Sequence, residues 1–195
     1  RMLFGRGMSS KPSPAGVAQQ RGPTLAFVLR ILCVRFSSIG DVLLTTPLLR
    51  ALHRRHPEAA LAFATKRDMA PLVADHPALD HVFALEPHEP IGHFADRIRQ
   101  WKPDYGLDLH GSLRSRALRA LLSCRWSGYA KRKVRRALLV ATKIDLDRDA
   151  PPVAERYFEA ARRLDVQPDG QPPEFHLGTA AREREPIEGG RAPRH

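Results

Sequence analysis

From Arg30 onward the apolar positions of this chain follow two spacings that alternate. Short unbroken runs, ILCVRF (31–36), ALAFAT (60–65), HVFAL (81–85) and YGLDLHG (105–111), read as strands buried on both faces. The segments between them, DVLLTTPLLRALHRRHP (41–57), RDMAPLVADHP (67–77), FADRIRQWKP (94–103) and LRSRALRALLS (113–123), carry helical spacing, the third closed by Pro103. RWSGYA (125–130) predicts a fifth strand. Strands alternating with helices are the pattern of βαβ units, so the expected fold class is α/β: a Rossmann-like doubly wound parallel sheet over roughly residues 30–130.

Beyond that sheet, KRKVRRALLVATKIDLDRDAPP (131–152) reads as a basic loop or short helix. PVAERYFEAARRLDV (152–166) predicts a helix, with Val153, Tyr157, Phe158, Ala161 and Leu164 on one face and Pro152 near its start. The remainder, from Gln167, has few large apolar residues and reads as an extended connector and a loose tail. Residues 1–24 are rich in Ser, Pro, Gly and Gln and predict disorder. The expected organisation is therefore a disordered extension (1–24), one Rossmann-like domain (25–165), and a connector with tail (166–195).

Composition narrows this only a little. A chain of 195 residues with 43% hydrophobic content can bury one substantial core. The net charge of +11 favours polyanionic partners, whether phosphorylated lipid, sugar nucleotide, nucleic acid or an anionic membrane surface. Two cysteines, Cys33 and Cys124, make no disulfide framework and fit a reducing compartment. The run LAFVLRILCV (25–34) is interrupted by Arg30 and is too short to span a bilayer, which takes about 20 apolar residues. A cytoplasmic protein is expected; the first residue is Arg, and Met8 offers an alternative start.

Ligands of open parallel sheets bind beyond the carboxyl ends of the strands. Three turns there carry polar residues: SSIGD (37–41), TKRD (65–68) and HGSLRS (110–115). In the first, Ser37, Ser38 and Gly40 allow close backbone approach, and the helix that follows favours an anion at its start. Asp41 admits two readings, a helix-start carboxylate or a general base that takes a proton from an incoming hydroxyl. Pro47 bears on both: either Thr46 caps and Asp41 lies in a loop, or the helix starts at Asp41 and Pro47 kinks it. Neither G-x-G-x-x-G nor G-x-x-x-x-G-K-[ST] is present, which argues against classical dinucleotide and P-loop sites.

Between Leu109 and Ile144 there is no acidic residue, while Arg114, Arg116, Arg119, Arg125 and six further Lys and Arg accumulate up to Lys143. One-sign blocks bind polyanions. Nucleic acid is one candidate, but no zinc finger, RNA-recognition signature or helix-turn-helix accompanies the block. His53 and His56 fall among Arg54 and Arg55 with no carboxylate in step, which argues against zinc. His110 ends the fourth strand and is either a substrate contact or a satisfied strand-end histidine.

With these residues in view, the chain resembles the N-terminal half of glycosyltransferase family 9, the ADP-heptose:lipopolysaccharide heptosyltransferases. The likeness rests on ILCVRFSSIGDVLLTTPLLRALHRRHPEAALAFATK, where strand, S-S-I-G-D turn and T-x-P-x-L helix occur together, and on PDYGLDLHGSLRSRALRALLS. It covers residues 30 to 178, through the PPEFHL connector. The resemblance implies the N-terminal, acceptor-binding domain of a two-domain GT-B fold, with the sugar nucleotide held mainly by the second domain. It implies that Asp41 is the general base and that an acceptor hydroxyl displaces ADP from ADP-heptose with inversion. Ser38, Gly40, Lys66, Arg67, His110 and Arg114 would face the acceptor, the inner core of lipopolysaccharide or lipid A. No metal and no cofactor beyond the ADP-heptose donor are expected, nor a nucleic-acid partner; peripheral contact with the inner face of the cytoplasmic membrane is. After EFHLGTAAREREPIEGG the resemblance implies a further, donor-binding domain where this chain stops, so the chain alone is expected to transfer little or nothing. The alternatives are a noncatalytic sugar- or phospholipid-binding remnant, one half of a split enzyme, and a basic nucleic-acid-binding protein.

Overall fold

The computed structural model describes residues 28–128 and 153–178. The expected disorder at 1–24, most of the basic block after Gly128 and the tail from residue 179 lie outside the described residues. The elements are β1 (Arg30–Val34), α1 (Ile39–Leu43), α2 (Thr46–Arg55), β2 (Ala60–Lys66), a 3-10 helix (Arg67–Leu72), β3 (His81–Leu85), α3 (Ile91–Trp101), β4 (Tyr105–Asp108), α4 (Leu113–Leu121), β5 (Arg125–Gly128) and α5 (Val153–Ala161), followed by a 3-10 turn (Arg162–Leu164).

All five strands run parallel in the order β3-β2-β1-β4-β5. The predicted doubly wound sheet is thus the observed one. Alternate residues of β1 enter opposite cores, because successive side chains of a strand point to opposite faces. Ile31 and Cys33 join Leu48, Leu52, Phe63, Leu107 and Tyr157, under α2 and α5. Leu32 and Val34 join Phe83, Phe94, Ile98 and Leu118, under α3 and α4. Burial on both faces is why β1 is apolar throughout rather than alternating. Burial also pushes the Cys33 thiol up to about 12, which keeps it protonated and inert.

Three predicted boundaries change. The helix expected over 41–57 is two helices, with the break before Pro47 in the first turn of α2. Pro47 has no N–H to return to Leu43, and the Thr46 hydroxyl donates to that carbonyl instead at 2.8 Å. The helix expected over 67–77 is only the 3-10 segment, since Pro71 lies inside it. Helix α3 starts three residues earlier than its periodicity suggested, directly after Pro90. It ends with Lys102 in the left-handed region at φ 54°, ahead of Pro103.

The chain winds from β1 outward to β3, then returns to lay β4 on the other side of β1. The connections after β1 and β4 therefore diverge, and between them opens the crevice where such sheets take ligands. Among the described residues no helix is long and apolar enough to cross a membrane.

Candidate functional site

Asp41 stands at this crevice, on the third residue of α1, and Ser38 rather than Asp41 caps the helix. Of the two helix-start readings left open by Pro47, neither holds as stated: Asp41 is in a helix of its own. Its carboxylate reaches back to the cap, where the Ser38 N–H donates to Oδ2 at 3.2 Å and the Ser38 hydroxyl donates to the same oxygen at 3.0 Å. Arg35 Nη2 pairs with Oδ2 as well. All three donors converge on Oδ2, and among the described residues none reaches Oδ1. The side chain remains about one third exposed. The carboxylate is thus anchored by one oxygen and open at the other. Burial pushes the acid up, but the Ser38 N–H, the Arg35 charge and the Ser38 hydroxyl outweigh it and hold Asp41 below its ordinary 3.8. At neutral pH it is an anion able to accept a proton at Oδ1.

Gly40 is exposed, and a Cβ built there meets nothing within 4 Å. The fold does not need a glycine at this position, and the space above it is open to a ligand.

The other wall of the crevice is the end of β4. Asp108, 3% exposed, accepts from the His110 N–H at 3.0 Å, from the Gly111 N–H at 2.7 Å and from the Ser115 hydroxyl at 3.1 Å. Gly111 takes φ 59°, a conformation that favours glycine. Ser112 caps α4, and its N–H donates to Ser115 Oγ at 2.9 Å while Ser115 N–H donates to Ser112 Oγ at 3.2 Å. This lattice fixes the turn that carries His110. The His110 ring lies edge-on to Phe36 at 5.7 Å, so the structure places it beside the crevice and half-buried.

Lys66, Arg67 and Arg114 do come together, in a separate cleft of about 620 Å³ that is also lined by Asp68, Glu86, His88 and Glu89 and so mixes both signs of charge. Arg67 pairs with Glu86 at 3.0 Å, whereas Lys66 and Arg114 have no ion-pair partner among the described residues. Asp41, Ser38 and His110 do not line this cleft. In the sheet order the β1 connection lies between that of β2, which carries Lys66 and Arg67, and that of β4, which carries Arg114. The predicted residues thus share one edge in two groups.

Sequence reasoning missed two residues. Arg35 is 6% exposed and holds the Asp41 carboxylate, yet it was read only as part of the strand ILCVRF. The signal that could have found it is a lone Arg flanked by buried Val34 and Phe36. Asp108 was read only as part of a strand.

No sequence-family model matches the chain, and no curated protein does. Among solved structures it is similar to a glycosyl transferase family 9 protein from Veillonella parvula, with TM-score 0.59 and 20% identity over 77% of this chain and 45% of that one. The chain shares its fold with glycosyltransferase family 9. E. coli ADP-heptose lps heptosyltransferase II (TM-score 0.57, 21% identity, 78% of this chain and 48% of that one) is a second such structure. E. coli heptosyltransferase WaaC with ADP-2-deoxy-2-fluoro heptose (TM-score 0.59, 21% identity, 75% and 51%) is a third. The chain spans about half the length of these family 9 structures.

The described part of the connector is fastened down. Arg50 of α2 grips Asp169 through Nε at 2.7 Å and Nη2 at 3.0 Å, and its Nη1 pairs with Glu174 at 2.9 Å. The Glu174 N–H donates to Thr46 Oγ1 at 2.9 Å. His76, Glu174 and His176 bring their donor atoms within 4.8 Å of one another, as a metal set would. However, the Ala78 N–H donates to His76 Nδ1 at 3.2 Å, so the neutral ring carries its proton on Nε2, which faces Glu174 Oε1 at 3.0 Å. The ring is thus one side of a clamp on the carboxylate by charge and proximity, without a hydrogen bond from Nε2.

The clamp has a pH signature. Burial first, with the His176 and Arg50 charges, lowers His76 against the opposing pull of Glu174, from an ordinary 6.5. The unfolded chain then binds the proton more readily than the folded one, so this part of the stability is lost as pH falls below 6.5. Asp169 follows later: the Arg50 hydrogen bond draws it down to about 2 from 3.8, and its contribution disappears through that window. The melting temperature is expected to fall between about pH 7 and pH 5, and His76→Gln to flatten that limb in differential scanning calorimetry. An unchanged limb in the variant would mean that burial of the His76 ring does not set it.

Proposed function

We propose that the chain is the acceptor-binding portion of a glycosyltransferase of the heptosyltransferase type, moving heptose from ADP-heptose to the inner core of lipopolysaccharide with inversion. The observation that carries this reading is the Asp41 carboxylate, held by Oδ2 and open at Oδ1, on the sheet edge that also carries Lys66, Arg67 and Arg114. Oδ1 takes the proton of an acceptor hydroxyl as that oxygen attacks the anomeric carbon. The bond to the ADP oxygen breaks on the opposite face of the sugar, and a single displacement inverts the centre. The ligands bound in structures of E. coli heptosyltransferase WaaC, ADP-2-deoxy-2-fluoro heptose and ADP, support this class of donor.

The cleft mixes three cations with three carboxylates, but Lys66 and Arg114 have no ion-pair partner among the described residues and could meet the phosphates or carboxylates of an acceptor; Arg114 lies on an exposed helix start. The donor would be held mainly by a second domain. The scheme asks for no metal, the leaving phosphates being neutralised by basic groups. Contact with the membrane would be peripheral, through a lipid-linked acceptor.

The test is binding of a deep-core lipopolysaccharide acceptor to the purified chain by calorimetry, together with ADP release in the presence of ADP-heptose. Saturable binding that weakens in Lys66→Ala and Arg114→Ala is expected, with little ADP released. Absence of acceptor binding, with salt-sensitive binding to DNA duplexes of any sequence, would sink the reading in favour of a nucleic-acid protein. Turnover comparable with a two-domain enzyme would sink the expectation that this portion transfers little alone.

A further inference from the structure

We propose that Arg35 is a positioning residue for Asp41: it holds Oδ2 so that Oδ1 is the oxygen presented to the acceptor, and its own place is set by the end of β4 and by helix α5. The inference rests on the acceptor reading only for its catalytic consequence; the hold on Asp41 stands on geometry.

The root of Arg35 is fixed, since its N–H donates to the Ala64 carbonyl at 3.0 Å and extends the β1–β2 pairing one residue past β1. Its guanidinium then reaches three elements. Nη1 donates to the Leu109 carbonyl at 2.6 Å, at the end of β4. Nη2 pairs with Asp41 Oδ2 on α1. Cζ lies 5.7 Å from the centre of the Tyr157 ring on α5. A planar fork can serve a carbonyl and a carboxylate at once and lie over an aromatic ring, whereas a lysine ammonium is a single point of charge.

The side chain is only 7% exposed, so its charge is largely withdrawn from water and requires a counter-charge. Asp41 is the one acidic group within ion-pair reach of it among the described residues. A plain structural pair would be satisfied by either carboxylate oxygen. Here Arg35 and both Ser38 donors select the same one. Because the fork is tied to Leu109, three residues before Ser112 caps α4 on the far wall of the crevice, the two walls are registered against each other. Rotation of the carboxylate would break the Arg35 and Ser38 contacts together.

The test uses the chain as it stands, labelled with ¹³C at the aspartate carboxyls, with the Asp41 signal assigned by its loss in Asp41→Asn. In the wild type the Asp41 titration midpoint is expected below that of an ordinary aspartate. In Arg35→Met it is expected to rise, and in Arg35→Lys to fall between the two. An unmoved midpoint in a folded Arg35→Met overturns the proposal. If Arg35→Met does not fold, a wild-type midpoint in Arg35→Lys overturns it. Tyr157→Leu is expected to raise the midpoint by less than Arg35→Met, and no movement there would overturn the part assigned to α5. These titrations need no substrate, so they hold or fail independently of the acceptor assay. In a polypeptide carrying both halves, Arg35→Lys is expected to lower kcat up to about a hundredfold with the acceptor KM unchanged. The rising limb of the kcat profile should move to higher pH, which a merely structural pair would not produce.

Discussion

On the proposed glycosyltransferase reading, Asp41→Asn is expected to cut sugar transfer by about 10²–10⁴-fold in a polypeptide that joins this chain to a donor-binding domain, measured as ADP release under saturating donor. The substitution is nearly isosteric, and the geometry says how the amide would settle. Its oxygen replaces Oδ2 and keeps the Ser38 N–H, the Ser38 hydroxyl and Arg35 as donors. Its NH₂ then occupies the place of Oδ1, where a lone pair is replaced by hydrogens. The anchor survives and the proton acceptor does not. A carboxylate that served only to complete the α1 cap would tolerate this change, since the cap contact is retained. Turnover within tenfold of wild type would therefore end the general-base reading. Asp41→Ala is the complementary measurement: it removes the anchor too, strands the Arg35 charge, and should lower stability by about 1 kcal/mol or more through the lost cap contact. Both substitutions leave Arg35 without its counter-charge, but asparagine keeps the hydrogen bonds that alanine removes, so turnover is read in the asparagine variant below its own unfolding transition.

The architecture was legible because its causes are local. Strands buried on both faces must be apolar at every position, and helices that cover them must carry apolar residues every three or four. Ile31 to Val34 and Phe94 to Ile98 obey those rules, so β1 and α3 could be read directly, apart from the start of α3. The break between α1 and α2 was not legible, since it depends on whether something replaces the hydrogen bond that Pro47 lacks. The Thr46 hydroxyl does so, and the same oxygen accepts the N–H of Glu174 from 128 residues away. Likewise Asp41 was visible as a carboxylate in a small-residue turn, but which of its oxygens is free depends on Arg35, whose guanidinium is placed by Leu109 and Tyr157. Periodicity reports which side of an element is buried; it carries nothing about side chains that meet from elements far apart in the chain. The division of Lys66, Arg67 and Arg114 from Asp41 has the same origin, because strand order decides which turns are neighbours.

The second large effect is expected at Asp108→Ala, a destabilisation of about 3–5 kcal/mol read from urea unfolding. Three donors converge on this one carboxylate, the N–H groups of His110 and Gly111 on Oδ1 and the Ser115 hydroxyl on Oδ2, and only 3% of the residue is exposed. Arg119 stands 3.7 Å away and loses its counter-charge as well. Removing the carboxylate leaves buried donors that water reaches poorly, and each such group costs about 1–3 kcal/mol. Asp108→Asn keeps one acceptor oxygen for the two N–H groups and should cost about half as much, so the series of Asp, Asn and Ala reads the contacts on each oxygen separately. The turn that Asp108 ties holds His110 and delivers α4, from which Arg114 lines the cleft of Lys66 and Arg67. Acceptor affinity should therefore fall with stability in Asp108→Ala even though Asp108 itself, behind the turn, touches no ligand. An alanine variant within about 1 kcal/mol of wild type would mean that the turn is held by its backbone alone. In that case Gly111, at φ 59°, would be the residue on which its shape depends.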